Sequence, residues 1–509
     1  MPKFSFVLAR IDRAFLLSEG RTGYARHAII CFILSAASYT VPIVVNELGA
    51  VFGDVTSILI VIALSAGLMM VSPFLFLTYW MFLVLTQAWW TGFVSSFFDS
   101  SPSLAVTESK TVAIVVATII AIPRIVQYLQ SQRFLACAIL LYFLTIVISI
   151  RDITPEAIAY ARNFVVPFLI SLVVISSTTA FSQRLRRNYF RFIVSATLLL
   201  LAIGSLAEHI VGTARWRHTL NADNQASLES LSTWTNFFGI RFERIGGLMV
   251  EPVTSGYVAG GAVVGAILLF VTSSEKSRRA LVLLSASILV GGFVLISAAT
   301  KASLLMVAIA VLAYLIAILV PVRGNSAFVI VGTWIISLAM ILTYLGLDKG
   351  FEGIFNLWRE PMGLIGGDST AIHLAGLVYG IQGGLNRIFG NGLGVGGNFQ
   401  RNFADELSEL DFATWLASGS ESGVGVLAYQ LGLVGLIAFV LLLVVMGNSW
   451  GRPATVLLAV WSATSLLAES MMGPLVAALF FVGAALLKPN DAQIAAVRRP
   501  FGGSSQSRV

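Results

Sequence analysis

Apolar residues run along this chain in long blocks, and most polar residues fall in the stretches between them. A helix needs about 20 apolar residues to cross a hydrocarbon core of roughly 30 Å. Blocks of that kind recur from His27 to Leu487, and about 14 spans are predicted by length and apolarity. They lie near 27–45, 55–72, 74–96, 111–127, 134–150, 159–180, 192–212, 248–271, 280–298, 302–320, 327–346, 422–446, 454–469 and 471–487. The expected fold class is an all-α polytopic membrane protein. The last two blocks are short and separated by "ESMMGP", so they also read as one re-entrant or broken hairpin. The 55–96 region can be divided in more than one way.

The polar segments then fix an expected orientation, because Lys and Arg accumulate on the cytoplasmic side of membrane proteins. With the N-terminus inside, the cytoplasmic segments hold 20 of the 32 Lys and Arg but only 4 of the 25 Asp and Glu. The expectation is that both termini are cytoplasmic. The chain divides into a cytoplasmic segment 1–26, a first helix group 27–212, an extracytoplasmic loop 213–247 and central helices 248–346. After these come a large extracytoplasmic loop 347–421, the last three spans within 422–487, and a cytoplasmic tail 488–509 that is polar and expected to be disordered. Loops as long as 347–421 are usually functional or disordered. "STAIHLAGLVYGIQGGLNRIFG" has apolar residues at helical spacing, so this loop is expected to hold short helices on the outer membrane face.

Composition agrees with the pattern. Of 509 residues, 57% are hydrophobic and 11% charged, against about 25% charged in soluble domains. The mean hydropathy is +0.88. Cys31 and Cys137 both stand in apolar runs, where a small hydrophobe is the plain reading. No H-E-x-x-H, D-x-D or Cys/His cluster is present, so no metal site or other cofactor is expected. The basic balance belongs to the cytoplasmic loops and does not call for nucleic acid.

Two kinds of residue carry candidate chemistry. The first is the stretch "NRIFGNGLGVGGNFQ", with glycines at Gly390, Gly392, Gly394, Gly396 and Gly397. It fits G-x-G-x-x-G in letters, but it follows a helical stretch rather than a strand and lies outside, away from cytoplasmic nucleotides. Two readings stay open: a tight turn that lets the backbone pass close to another segment, or a nest of amides facing an anionic substrate. The second kind is the set of ionisable residues within or at the ends of spans, which default to functional hypotheses. These are Arg162, Glu208, Arg244, Glu251, Lys301, His373, Arg387, Glu421 and Glu469, all on the outer half of the expected topology. Arg suits phosphate because its planar fork donates in pairs. Arg244 can also pair with Glu251 or with headgroups, Lys301 can snorkel, and a solitary His373 can simply be packed.

Taken in order, these segments resemble a known family. "RIGG" followed by Glu251-Pro252, "TKASLL" from Thr300, "GNGLGVGG", and "SESGVGVLAYQLGLVGLIAFV" from Ser420 are similar to motifs of the O-antigen ligase/polymerase superfamily, the Wzy-type polymerases and WaaL-type ligases. The resemblance runs from Arg241 to Met446. It implies a glycosyltransferase in the bacterial inner membrane whose substrate is an oligosaccharide on undecaprenyl diphosphate, with no metal or nucleotide. It implies that Arg244 and Lys301 bind the donor diphosphate and that His373 or Glu421 assists the acceptor hydroxyl. Glu251, Arg387, Gly392, Gly394 and Gly396 are expected in supporting roles. Lys301 departs from the arginine usual in that family and lacks its fork. The implied partners are the lipid bilayer and the flippase and chain-length regulator of the same pathway. The leading reading is a polymerase that joins lipid-linked repeat units into an exopolysaccharide, capsule or O-antigen chain; a ligase moving a finished glycan, a flippase of lipid-linked glycans and an inactive assembly subunit are competing readings.

Overall fold

The computed structural model describes residues 20–47, 53–98, 106, 108–220, 234–237, 240–272, 278–320, 325–344, 358–359, 369–398 and 416–489. Most of 1–26, much of 347–421 and nearly all of the tail fall outside the described residues.

The described chain is helical except for one small hairpin. Its first helices are α1 (Gly20–Glu47), α2 (Gly53–Val71), α3 (Pro73–Leu85), α4 (Gln87–Phe98), α5 (Ser109–Ser131), α6 (Arg133–Ser149), α7 (Pro155–Thr178) and α8 (Gln183–Val211). A short α9 (Thr213–Thr219) precedes the antiparallel strands β1 (Trp234–Phe237) and β2 (Ile240–Glu243), in which Trp234 faces Glu243 and Phe237 faces Ile240. Then come a 3-10 turn (Gly247–Met249), α10 (Pro252–Thr272), α11 (Arg278–Ala298), α12 (Lys301–Leu319), α13 (Ser326–Tyr344) and α14 (Ser369–Asn386). The chain closes with α15 (Gly423–Trp450), α16 (Arg452–Ser465), a second 3-10 turn (Glu469–Met472) and α17 (Pro474–Leu486).

Helices stand at all fourteen places marked by the apolar blocks, but they are not fourteen full spans. Among the described residues ten are long and apolar enough to cross a membrane, or eleven if α3 and α4, bent by 56°, act together. The shortfall lies in α6, α16 and α17, with 17, 14 and 13 residues, each below the length that a straight span needs. Local sequence sets several starts. Thr154 Oγ1 accepts from Ala157 N ahead of Pro155, and Ser182 and Ser422 cap α8 and α15 in the same way.

Burial separates an inner set of helices from a rim. The apolar window of α10 is 78% buried and that of α7 72%, whereas those of α2 and α11 are 22% and 28% buried. The rim helices keep large apolar side chains such as Leu59, Leu289 and Ile296 exposed, as a lipid-facing surface requires. Together these features give the chain the character of a multi-pass membrane protein.

One seam matters most for the site. Within the expected large loop, α14 is a single helix of 18 residues, packed along the first turns of α15. A Cβ on Gly376, Gly380 or Gly384 would come within 2.0 Å of Ser420 O, 2.3 Å of Gly425 O or 2.4 Å of Ala428 O. Small residues every fourth position let two backbones touch in this way. The order of the contacts makes the pair parallel. Beyond the seam α15 breaks at Gly432, whose φ of 72° breaks the helix. The glycine stretch satisfies the groups exposed there: Asn391 N donates to Tyr429 O at 2.9 Å, Gly392 N to Gln430 O at 3.3 Å, and Val434 N to Ile388 O at 3.2 Å.

Gly380→Leu therefore forces α14 off α15. The expected outcome is destabilisation by about 1–3 kcal/mol or more, read as a lowered thermal midpoint of the detergent-solubilised protein. An unchanged midpoint would mean that the seam contributes little.

Candidate functional site

A cavity of about 520 Å³ opens where α10, α12, α13, α14 and the turn after α16 meet. Its polar lining includes Arg244, Tyr257, Thr300, Lys301, His373, Glu421 and Glu469, and its apolar lining includes Val253, Leu305, Met340, Ile341 and Leu467. Arg244, Lys301, His373 and Glu421 come from four separate segments and meet on this one surface.

The basic side is built on two irregular turns. Arg244 Nε donates to Ala298 O at 3.4 Å, and its Nη2 donates to Thr300 Oγ1 at 3.3 Å. Burial lowers the pKa of this guanidinium, which nevertheless stays a cation. Lys301 is the first residue of α12, and Thr300, Lys301 and Ala302 all face the cavity. The positive end of the helix macrodipole therefore adds to the lysine charge.

The acidic side couples three elements. His373 on α14 has Nδ1 2.9 Å from Glu421 O and 3.3 Å from Glu421 Oε2. With Nδ1–H donating to that residue, the neutral tautomer leaves Nε2 as the acceptor. Glu469 is 6% exposed. Its Oε1 accepts from the Tyr160 hydroxyl at 2.5 Å, and both of its oxygens accept from Asn398 N at 3.1 Å. Burial pushes its pKa up from 4.5 to about 7, against the opposing pull of the Tyr160 hydrogen bond. The two acidic segments are fastened together by Ser422 Oγ, which donates to Leu466 O at 2.7 Å.

Backbone strain gathers at the same place. Among the described residues the non-glycine positions with positive φ are Val250 at 61°, Ala299 at 46° and Glu421 at 70°. Ala299 and Glu421 line the cavity, and Val250 lies in the turn that follows Arg244. Each such residue costs on the order of 1–3 kcal/mol and persists only where the surroundings hold it.

The other expected residues do not line the cavity. Glu251 takes the Thr254 hydroxyl at 2.5 Å, and its burial raises its pKa; it acts on Arg244 through charge. Arg387 is exposed past the far end of α14, about 21 Å along the helix direction from His373. The glycine loop is a joint between segments. Leu393 N donates to Ser149 O at 2.7 Å, Gly394 packs on Ala157, Gly396 on Ser418, and the Arg151 guanidinium donates to Gly390 O at 3.0 Å. Because the amides of Asn391, Gly392, Leu393, Gly397 and Asn398 are given to protein acceptors, the close-passage reading of this loop replaces the anion nest. Arg162 pairs with Glu108 away from the cavity.

Tyr160 and Tyr257 were not singled out in the sequence, and Glu469 was a candidate without an assigned role. Glu469 was visible as a span-end carboxylate, but its partners come from 71 and 309 residues away in the chain. Among the described residues no three His, Cys, Asp or Glu side chains gather as metal ligands would. Comparison of the chain with family models, curated proteins and solved structures gave no match.

Glu469 makes stability depend on pH. Its pKa is higher in the folded state than its usual 4.5, so its contribution is fully present below about 4.5 and lost as pH rises through about 7. Thermal midpoints measured from about pH 4.5 to 8 should fall more for the native protein than for Glu469→Gln. Parallel pH profiles would show that Glu469 titrates normally.

Proposed function

We propose that this protein is a polymerase that joins polyprenyl-diphosphate-linked oligosaccharide units into a long polysaccharide at the outer face of a bacterial inner membrane. In this reading both termini are cytoplasmic, the cavity faces outward, and the short helices α6, α16 and α17 complete a set of fourteen membrane segments. The observation that carries it is the meeting of Arg244, Lys301 and the His373–Glu421 couple on one cavity that also has an apolar wall. That combination suits a substrate with an anionic head, a hydroxyl to be activated and a hydrocarbon tail. The motif resemblance points to the same chemistry.

The reaction needs little beyond what these groups supply. An acceptor sugar hydroxyl attacks the anomeric carbon of the donor, a new C–O bond forms, and the bond from that carbon to the diphosphate oxygen breaks. Nε2 of His373 takes the hydroxyl proton, and Glu421 holds the imidazole and offsets the imidazolium charge. The polyprenyl diphosphate leaves with the bonding electron pair, and Arg244 and Lys301 stabilise its growing charge. The diphosphate is already an activated leaving group, so the chain needs to bring no nucleotide to the site.

Cells whose only copy carries Arg244→Ala, at normal membrane level, should lose long polymer and accumulate single repeats on the outer-face lipid carrier. Long chains that remain on the carrier would instead indicate a ligase, repeats trapped at the inner face a flippase, and unchanged polymer would remove Arg244 from the mechanism. His373→Ala should lower the rate of repeat joining by about 10²–10⁴-fold, with donor binding retained. A His373→Ala protein of native rate would exclude the imidazole as the base.

A further inference from the structure

We infer that Glu208 is a positioning residue for Arg244, acting through the glycine turn that follows the arginine. Glu208 stands three residues before the end of α8 and is 1% exposed. One oxygen, Oε2, accepts from two successive backbone amides, Gly246 N at 2.9 Å and Gly247 N at 2.5 Å. Arg217 on α9 offsets part of its charge. A carboxylate in a membrane helix is costly, and here it does not line the cavity. What it does is anchor the turn that carries the guanidinium.

The neighbouring contacts support the same reading. A Cβ on Gly204 would lie 2.5 Å from Leu248 N, so α8 and the turn are already in backbone contact. Trp216 Nε1 donates to Gly247 O at 3.1 Å, and Ile245 N donates to Ser297 O at 2.9 Å. Arg244 is therefore followed by three consecutive fixed amides, at 245, 246 and 247. The same turn contains positive φ at Gly247 and Val250, each 61°. Such a backbone does not keep its shape unaided, and two successive amides held on one buried carboxyl oxygen fix it. Without the carboxylate the turn is free to relax, and the guanidinium loses its registry with Thr300 and with Lys301.

This inference rests on the reading of Arg244 as a diphosphate ligand, and a binding experiment separates the two. Farnesyl diphosphate serves as the probe, titrated by calorimetry into the full chain purified in detergent, with monodispersity checked for every variant. Glu208→Ala should weaken binding about tenfold, as expected when two buried amides lose their acceptor. Glu208→Gln, which keeps an acceptor oxygen, should restore most of the affinity. In an Arg244→Ala background, where affinity is already reduced, Glu208→Ala should have no further effect. Should Glu208→Ala fail to fold, Glu208→Asp, which keeps the charge but retracts it by one methylene, should weaken the probe in the native background and not beside Arg244→Ala. Binding lost in Arg244→Ala but native in the folded Glu208 variants overturns the inference alone, as does an undiminished Glu208 effect without Arg244. No binding by the native protein overturns the proposed function and this inference with it.

Discussion

Every backbone N–H and C=O shut away from water has to find a partner inside the protein, and in a membrane-embedded bundle there is no solvent to correct a mistake. Helices meet that requirement by themselves; the cavity end of this molecule does not consist of helix alone. The segments 244–251, 298–301, 387–398 and 416–422 are irregular, and several of their amides are claimed by side chains or by the ends of other elements. Two buried carboxylates stand out in this role. Glu208 takes the amides of Gly246 and Gly247, and Glu469 takes that of Asn398. In each case a carboxyl group in low-polarity surroundings takes donors from a glycine-containing turn, so side chain and irregular backbone satisfy each other.

That mutual dependence explains the glycine stretch better than a ligand does. Its residues reach the end of α6 at Ser149, the start of α7 at Ala157, the break in α15 at Gly432 and the carboxylate of Glu469. Four elements distant in sequence are thereby fixed relative to one another at one end of the bundle. Glu469 in turn faces the cavity, so the loop shapes the site without lining it.

The fold was legible because apolar block length and helix formation answer to the same physical demand, and helices occupy every block that the pattern marked. Span lengths were less legible. Nothing in the apolar count separates a 14-residue helix that ends at Ser465 from one that continues through Glu469; the end is set by packing of the 3-10 turn against the start of α15. Arg244, Lys301 and Glu421 were legible as charges at span ends, and His373 as the one histidine of the large loop. Their meeting was not, because it depends on α14 lying parallel to α15 along the glycine seam. Glu208 and Glu469 were visible as carboxylates, but their partners are backbone amides, which no residue letter announces. Arg387 resembled its neighbours in the sequence and ended at the opposite end of the helix from His373.

The turn at 298–301 shows how these constraints set two cations side by side at the cavity. Ala298 O and Thr300 Oγ1 hold two N–H groups of Arg244, and the next residue in the chain is Lys301. A single short segment thus orients the guanidinium and carries the ammonium, so the separation of the two cations is set by backbone geometry rather than by two flexible side chains acting alone. Arginine, with its fork spent partly on the turn, supplies direction, and lysine supplies a compact charge. An anion with two linked charged centres matches such a fixed pair better than a single charge does, because the ordering cost is met during folding rather than on binding. The strained φ of Ala299, between the two anchoring residues, is the local cost of that preorganisation.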